Sequence, residues 1–221
     1  MENKEEIYNL NIAVVGDQSV GKTSILLKYL NKDDKELKTT LGIDYLSYET
    51  SFNGKKININ FLDTSGQERF YCITSNHYNE ADGFIIVFDL NDEVSFDNIL
   101  FWFNAIKNKK NIKDIDILMI GNKNDLERKV SLSRIDNFEK KNKNELEINY
   151  IFHETSAITG DGIEDSMNIL IEKMVKHYDE NKKNNIIKPK GVKLKKEENN
   201  KENNKENKDN NKKKRKCCLI F

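Results

Sequence analysis

The sequence predicts an α/β fold in which a six-stranded, mostly parallel sheet carries helices on both faces. Short apolar segments of strand length alternate with longer segments of helical apolar periodicity, which is the pattern of strand–helix–strand units. A glycine-rich loop closes the first apolar strand and opens a helix. One pair of consecutive strands is separated by Asn53 and Gly54 alone, a two-residue hairpin signal.

Each predicted strand is a run rich in branched and aromatic apolar residues. The predicted strands are 10–16, 45–52, 56–62, 83–90, 115–121 and 149–153. The hairpin signal makes the second and third strands antiparallel, and right-handed crossovers make the remaining neighbours parallel. Ligands of such sheets bind at the carboxyl ends of the strands, where Gly16, Asp63 and Asn122 fall.

The composition divides the chain into a globular part and a tail. With 221 residues and 37% hydrophobic content, the chain can bury one ordinary core. From residue 179 onward it consists mainly of Asn, Lys and Glu and contains the only proline, Pro189. Such a segment has too little apolar surface to offset the entropy lost on ordering. We therefore predict one domain at 1–178 and a disordered basic tail at 179–221.

The net charge of zero conceals an asymmetry between these parts. The tail carries 15 basic and 7 acidic residues, and the domain 22 and 30. No apolar run approaches the roughly 20 residues that span a bilayer, and the first residues are charged rather than signal-like. Three cysteines, two of them adjacent, do not suit a disulfide framework. We expect a cytosolic body.

The run from Gly16 to Thr23 has the spacing Gly-x-x-x-x-Gly-Lys-Thr of a phosphate-binding loop. Glycine lets backbone N–H groups turn inward around phosphate oxygens. Lys22 is predicted to reach the β- and γ-phosphates, Thr23 to ligate Mg²⁺, and the following helix to present its N–H groups to the charge. An accidental Gly/Lys loop is the alternative, and the flanking strand and helix argue against it.

Two further segments predict the rest of a magnesium and γ-phosphate site. Asp63 ends an apolar strand, where it can hold a metal-bound water, and Gly66 and Gln67 follow. Gln67 is predicted to orient the attacking water. Thr40 lies in a polar loop and is predicted to close over Mg²⁺ only when the γ-phosphate is present. Alone, such a threonine is more often a loop residue, but its place between the phosphate loop and Asp63 favours the metal role.

These segments resemble those of Ras-superfamily small GTPases, and specifically of the Rab family. The stretch 63–70, Asp-Thr-Ser-Gly-Gln-Glu-Arg-Phe, is similar to the Rab stretch Asp-Thr-Ala-Gly-Gln-Glu-Arg-Phe. Residues 40–45 resemble its first switch and 72–78 its second. The resemblance covers roughly 10–178 and the extreme C-terminus, and it implies the small G domain of P-loop NTPases and hydrolysis of GTP to GDP and phosphate.

The resemblance also implies the choice of guanine. In Asn-Lys-Asn-Asp at 122–125, Asp125 is expected to accept from the ring N–H and exocyclic amine. In Glu-Thr-Ser-Ala at 154–157, the backbone N–H of Ala157 is expected to donate to the guanine carbonyl. A site built on such bonds rejects bases that lack the partner groups.

The predictions give one set of site residues. The predicted GTP-binding residues are Gly16, Gln18, Ser19, Val20, Gly21, Lys22, Thr23, Ser24, Thr40, Asp63, Gly66, Asn122, Lys123, Asp125, Ser156 and Ala157. Gln67 and Lys22 are predicted to be catalytic. Thr23, Thr40 and Asp63 are predicted to hold Mg²⁺.

The sequence departs from the family pattern near the predicted base site and on the surfaces that partners are expected to bind. Asp33 stands where most relatives have an aromatic residue near the base, and Ile158 where a lysine is usual. We expect weaker nucleotide retention, since base–aromatic stacking contributes about 1–3 kcal/mol in nucleic-acid sites; Tyr29 or Leu37 is the alternative stacking residue.

Three further departures concern partners, and a fourth lies near the γ-phosphate. Leu62 replaces a usual tryptophan and Tyr45 a phenylalanine, which makes the effector surface smaller and more polar. Gln18 could obstruct the arginine of an activating protein, and Ser65 adds a hydroxyl near the γ-phosphate.

The C-terminus predicts a lipid anchor. Cys217 and Cys218 are followed by Leu-Ile-Phe and preceded by five basic residues. This ending favours geranylgeranylation of Cys218, and the paired cysteine looks like the doubly prenylated Rab ending. The basic run adds attraction to anionic lipid of about 1 kcal/mol per residue. A nuclear-import or nucleic-acid patch is the less favoured alternative.

Two functions follow from the resemblance. The first is a membrane-anchored GTP/GDP switch in vesicle trafficking. It would bind effectors through the segments around Thr40 and Gln67, and it would be served by a GEF, a GAP, a GDP-dissociation inhibitor and the prenylation machinery, without nucleic acid. The second is a hydrolysis-poor membrane platform, which Asp33, Ile158 and Gln18 motivate.

The expected location is the cytoplasmic face of endomembranes, with a cytosolic pool. Residues 41–47 and the pair Gln18 and Ser19 look like a Golgi-associated branch. Residues 190–194 are similar to a branch of the endoplasmic reticulum and lipid droplets. The two clues conflict; we expect the Golgi or the endoplasmic reticulum, and favour Golgi or early secretory membranes.

The remaining conspicuous residues are assigned to packing or surface. His77, His153 and His177 show no metal-ligand spacing. Trp102 and the phenylalanines of 96–103 recur at helical spacing, which favours a core-facing helix over a cofactor site.

Overall fold

The computed structural model describes residues 7–31, 40, 43–66, 75–145 and 149–183 of the chain. Its strands are β1 Ile7–Gly16, β2 Ile43–Phe52, β3 Lys55–Thr64, β4 Gly83–Asp89, β5 Asp116–Asn122 and β6 Ile151–Glu154. Its α-helices are α1 Lys22–Tyr29, α2 Glu93–Asp97, α3 Ile99–Lys107, α4 Leu132–Glu145 and α5 Ile163–Lys183. Short 3₁₀ segments lie at Ser75–Asn79 and Ile112–Asp114.

The six strands form one sheet in the order β2–β3–β1–β4–β5–β6. β2 runs antiparallel to β3, and the other neighbours are parallel. In the turn between β2 and β3, Asn53 has a φ of 50° and Gly54 a φ of 74°; a type I′ turn requires positive φ at both positions. The predicted fold class and the predicted hairpin are confirmed.

Helices cover both faces of the sheet, and successive side chains of β1 therefore pack into two different cores. Ile12 and Val14 pack with residues of α1 and α5, whereas Ala13 and Val15 pack with residues of α3. A strand buried on both faces reads as a continuous apolar run, which is why β1 is recognisable in the sequence.

Strand ends differ from the prediction where sheet pairing extends them. β1 begins at Ile7 rather than at residue 10, because Ile7 pairs with Lys56. β3 continues to Thr64, and its Asp63 pairs with Val14 on one side and Asp44 on the other. Asp63 is therefore fixed within the sheet rather than in a loop after it.

The last helix corrects the predicted start of the tail. α5 continues to Lys183, so residues 179–183 are helical rather than part of a tether. Asp179 accepts a hydrogen bond from the Tyr8 hydroxyl at 2.8 Å and forms an ion pair with Lys55 at 2.5 Å. These contacts anchor the final turns of α5 to β1 and β3.

The chain divides into two units, Met1–Gly191 and Val192–Phe221. The second unit, with Cys217 and Cys218, lies outside the described residues. Among the helices that the structure describes, none is both long and apolar enough to cross a bilayer.

Candidate nucleotide-binding site

The segment from the last residue of β1 to the start of α1 carries three residues with positive φ. The values are 139° at Gly16, 65° at Ser19 and 100° at Gly21. A Cβ on Gly16 would lie 2.1 Å from the carbonyl oxygen of Val87 in β4, so this position requires glycine. A glycine-rich turn from a strand into a helix is the geometry in which backbone N–H groups bind an anion.

Lys22, the first residue of α1, points its ammonium group back into this loop. Its Nζ donates to the carbonyl oxygens of Gly16 at 2.9 Å and Asp17 at 2.7 Å. Burial lowers the pKa of Lys22 to about 8, against the opposing charges of Asp63 and Asp17. The loop thus holds a buried cation that a phosphate can neutralise.

Two hydroxyl groups converge on the buried carboxylate of Asp63. Thr23 Oγ1 donates to Asp63 Oδ2 at 2.5 Å, and Thr40 Oγ1 lies 3.2 Å from the same oxygen and 3.1 Å from Thr23 Oγ1. We call these three residues the hydroxyl–carboxylate cluster. The Asp63 side chain is fully buried, and its Oδ1 has no hydrogen-bond partner among the described residues.

Burial raises the pKa of Asp63, whereas the Thr23 hydrogen bond and the Lys22 charge oppose that rise. A buried carboxylate with an unpartnered oxygen is costly unless a cation or a donor satisfies it. Hydroxyl and carboxylate oxygens are the ligands that Mg²⁺ prefers. The residues of the cluster therefore fit a magnesium ion.

Gly66, which follows β3, lies directly against the phosphate loop. A Cβ on this residue would come within 2.4 Å of the Asp17 carbonyl group and of the Gln18 backbone nitrogen. A larger residue would have to displace this segment from the loop.

Asn122, the last residue of β5, joins the phosphate loop to the loop after β6. Its Nδ2 donates to the Val20 carbonyl at 2.9 Å. Its Oδ1 accepts from Thr155 Oγ1 at 3.2 Å and from the Ala157 N–H at 3.1 Å. The predicted bond from Ala157 to guanine stays a prediction, since this N–H donates to Asn122 here.

Local contacts stabilise the two loops of the predicted base site, one after β5 and one after β6. Lys123, with a φ of 67°, pairs with Asp89 at the end of β4 at 2.7 Å. Ser156 is buried, and its Oγ accepts from the N–H groups of Ile158 and Thr159. Asp125 is exposed at the surface, so its carboxylate is accessible to a base.

Most of the residues predicted to bind the phosphates line one polar cavity. It is lined by Gln18, Ser19, Gly21, Lys22, Thr23, Ser24, Thr40, Thr64, Ser65 and Gly66. Asp63 and Val20 are buried, and Asn122 joins the base-side loops to the phosphate loop. Gln67 lies outside the described residues.

Sequence reasoning missed four residues of this region. Thr64 lines the cavity and donates to the Val14 carbonyl at 2.7 Å. Asp89 holds Lys123. Asp17 accepts from Trp102 Nε1 at 2.7 Å, so Trp102 is not only a core residue. Two of these residues had a signal in the sequence: Asp17 lies inside the glycine-rich motif and Thr64 inside the stretch 63–70.

The departures from the family pattern have structural outcomes. The ring of Tyr29 packs edge-on against those of Tyr48 and Phe61, at centroid distances of 5.3 and 6.0 Å. Tyr29 therefore packs against strand residues and does not provide the predicted stacking surface for a base. The predicted alternative Leu37, like Asp33, lies outside the described residues. Ile158 is 75% exposed.

The surface departures separate into one buried and one exposed residue. Leu62 is only 2% exposed, so its side chain belongs to the core rather than to an effector surface. Tyr45 is exposed, and its hydroxyl lies 3.0 Å from His77 Nδ1.

Comparisons with known proteins agree with this geometry. The model of the Ras family matches residues 11–176. The chain is 34% identical over 173 residues to the Ras-related protein Rab-11C of Dictyostelium discoideum, covering 77% of this chain and 74% of that protein. It is 35% identical to Rab-32D of the same organism, covering 79% and 78%, and 32% identical to Rab-18 of Lymnaea stagnalis, covering 79% and 85%.

Three observations point to the same family. The Ras-family model matches most of the chain, similar proteins are Rab proteins, and the phosphate loop lies beside a buried carboxylate that suits a metal ion. The chain belongs to the Rab family of small GTPases, which bind guanine nucleotides, hydrolyse GTP and act in vesicle trafficking.

Proposed function

We propose that the chain is a membrane-anchored switch that binds Mg²⁺ and GTP at the phosphate loop and the hydroxyl–carboxylate cluster. One observation carries this proposal: Thr23 and Thr40 both contact Asp63, whose buried Oδ1 lacks a partner within the described part of the chain. The cluster lies beside the buried ammonium of Lys22, so cationic and metal-binding groups converge where the triphosphate would bind.

The hydrolysis of GTP would proceed by attack of water on the γ-phosphorus, with GDP as the leaving group. Lys22 would bind the β- and γ-phosphates and stabilise their charge, and Gln67 would orient the water. Magnesium, held by Thr23, Thr40 and Asp63, would supply neutralisation of phosphate charge. Hydrolysis would be slow alone, and an arginine from an activating protein would accelerate it by about 10³ to 10⁵.

Switching would depend on the two segments that meet the loop. Thr40 precedes β2 and contacts Thr23 and Asp63, whereas Gly66 follows β3 and lies against the loop backbone. Both contacts lie near the predicted position of the γ-phosphate. Loss of the γ-phosphate on hydrolysis would release the segments around Thr40 and Gln67. We assign these segments as the surfaces that bind effectors, a GEF and a GAP.

We assign binding of the guanine base to five residues: Asn122, Lys123, Asp125, Ser156 and Ala157. This assignment is supported by the bond between Asn122 and Val20, which couples the base side of the site to the phosphate side.

We further propose that Cys217 and Cys218 carry prenyl groups. With the basic run before them, these groups would hold the protein on the cytoplasmic face of endomembranes, either Golgi or endoplasmic reticulum. A GDP-dissociation inhibitor would maintain a cytosolic pool. Imaging a tagged chain beside a Cys217→Ser/Cys218→Ser variant tests this: the variant should lose membrane localisation, and retained localisation would contradict the anchor.

A hydrolysis-poor platform is the second candidate, favoured by the exposed side chains of Gln18 and Ile158. Single-turnover GTP hydrolysis with Mg²⁺, measured with and without a Rab-type activating protein, separates the two candidates. A switch should be accelerated at least about a hundredfold by the activating protein, and Gln67→Leu should abolish that acceleration. A chain that binds GTP but stays slow with an activating protein able to bind it would be a platform.

A further inference from the structure

The carboxylate of Asp17, in the middle of the phosphate loop, is bound by two donors from the α2–α3 region. Trp102 Nε1 donates to Asp17 Oδ1 at 2.7 Å, and Asn98 Nδ2 donates to Asp17 Oδ2 at 2.6 Å. Asn98 lies at the junction of α2 and α3, and Trp102 lies one turn further along α3. The indole is the only one in the chain and is 3% exposed.

A negative charge in this loop has a cost that these two donors reduce. An unbound carboxylate would repel the phosphates that the loop is proposed to receive. Hydrogen bonds to an ionised oxygen are stronger than neutral ones, and both donors approach from the same structural region. They therefore hold the carboxylate on the α3 side of the loop.

The backbone of the same residue carries two other contacts of the site. The Asp17 carbonyl oxygen accepts from Lys22 Nζ at 2.7 Å. A Cβ on Gly66 would lie 2.4 Å from that carbonyl group. A shift of Asp17 would thus move the partner of the lysine and the surface against which Gly66 packs.

We propose that Asp17, Asn98 and Trp102 form a positioning element through which α3 holds the phosphate loop and slows the release of guanine nucleotide. We call these residues the α3 clamp. The inference rests on the nucleotide site proposed above and adds residues outside the cavity. None of the three side chains needs to touch the nucleotide.

The test measures the dissociation of a fluorescent GDP analogue, mant-GDP, from the full chain in Mg²⁺ with excess unlabelled GDP. Trp102→Phe retains an aromatic side chain but removes the N–H donor, and Asp17→Ala removes the acceptor. Each should accelerate release by about fivefold or more, because each removes a hydrogen bond to a charged group. The double variant should be no faster than Asp17→Ala alone, since the bond that Trp102→Phe breaks is one of the two that Asp17→Ala removes.

Two further variants separate positioning from general loss of stability. Phe103→Leu also removes buried atoms from α3, but Phe103 packs on Phe138 and Tyr150 rather than on the loop. It should lower the melting temperature while changing the release rate by less than about twofold. Asn98 is exposed and its side chain makes no helix-cap bond, so Asn98→Ala should fold normally and still accelerate release.

The outcomes are distinct. Faster release in the three clamp variants, without additivity between Trp102→Phe and Asp17→Ala, supports the α3 clamp. Unchanged release, additive effects, or an equal acceleration by Phe103→Leu would overturn it. A wild-type chain that does not retain mant-GDP would instead contradict the nucleotide site itself.

Discussion

The hydroxyl of Thr23 lies 2.5 Å from the carboxylate of Asp63, although 40 residues separate them in the sequence. Sheet register produces this contact. Val14 of β1 pairs with Asp63 of β3, so the end of β3 lies beside the turn that leads from β1 into α1. A parallel pairing thus places a hydroxyl and a carboxylate where they can share one cation.

Removing the Thr23 hydroxyl should uncouple nucleotide retention from magnesium. We expect Thr23→Ala to release GDP about 10- to 100-fold faster than wild type in millimolar Mg²⁺, a range known for weakened metal sites. Chelation of the metal by EDTA should accelerate release strongly in wild type but little in the variant. Thr23→Ser keeps the hydroxyl and serves as the control; a Thr23→Ala variant that still responds to EDTA like wild type would contradict the metal assignment.

Gly66→Ala should impair hydrolysis more than GDP binding. Its Cβ would meet the Asp17 and Gln18 backbone at 2.4 Å, so the segment carrying Gln67 must shift away from the loop. Because misplacement of a catalytic group by about 1 Å can cost about 100-fold, single-turnover hydrolysis should fall at least tenfold, with GDP release nearly unchanged.

Gly54→Ala provides the matched control for that substitution. Gly54 has a positive φ of 74°, unlike Gly66, so an alanine there strains the turn, but its Cβ would meet no described atom within 4 Å. Normal hydrolysis in both variants would show that the contact between Gly66 and the loop is dispensable.

Asn122→Ala should weaken both folding and nucleotide binding, because the side chain bonds to three partners in two segments, the phosphate loop and the loop after β6. Removing its bonds to Val20, Thr155 and Ala157 should lower the free energy of unfolding by about 2 kcal/mol. Urea denaturation and GDP release measure the two effects. Asn124→Ala, which loses one bond to Asp161, should cost about 1 kcal/mol or less; equal losses in the two variants would count against the joining role of Asn122.

Ile158→Lys should slow GDP release. The Ile158 side chain is 75% exposed beside the predicted base site, and a lysine there could lay its stem and charge over the base. A contact of that kind at an exposed site is worth about 0.5–1 kcal/mol, or a two- to fivefold slower rate. Leu132→Lys, at a 60% exposed position at the start of α4, should leave the rate unchanged. Unchanged or faster release from Ile158→Lys would contradict the expectation that Ile158 weakens nucleotide retention.

The fold was predictable because its signals are local. The buried run of β1, the Asn53–Gly54 turn and the glycine-rich loop each indicate one element, and the structure contains all three. Strand ends were less predictable, because pairing partners distant in sequence extend β1 and β3. The length of α5 likewise depends on Asp179 reaching Tyr8 and Lys55, which no periodicity reveals.

The candidate site was predictable where motif chemistry dictates residue type. Lys22, Thr23 and Thr40 line the predicted cavity. The contacts of Asp17 were not predictable, because Trp102 lies 85 residues away on a helix whose apolar spacing indicates only a core face. Only the packing of α3 beside the phosphate loop brings its indole N–H to a carboxylate.

The central claim is that a magnesium-bound γ-phosphate holds the segments containing Thr40 and Gly66. Hydrogen–deuterium exchange of the full chain tests it most directly, comparing Mg²⁺ with GDP against Mg²⁺ with a non-hydrolysable GTP analogue. We predict that peptides containing Thr40 and Gly66 exchange more slowly in the triphosphate form, while peptides of β4 and β5 exchange equally in both. Identical exchange of the Thr40 and Gly66 peptides in the two nucleotide forms would contradict the switch.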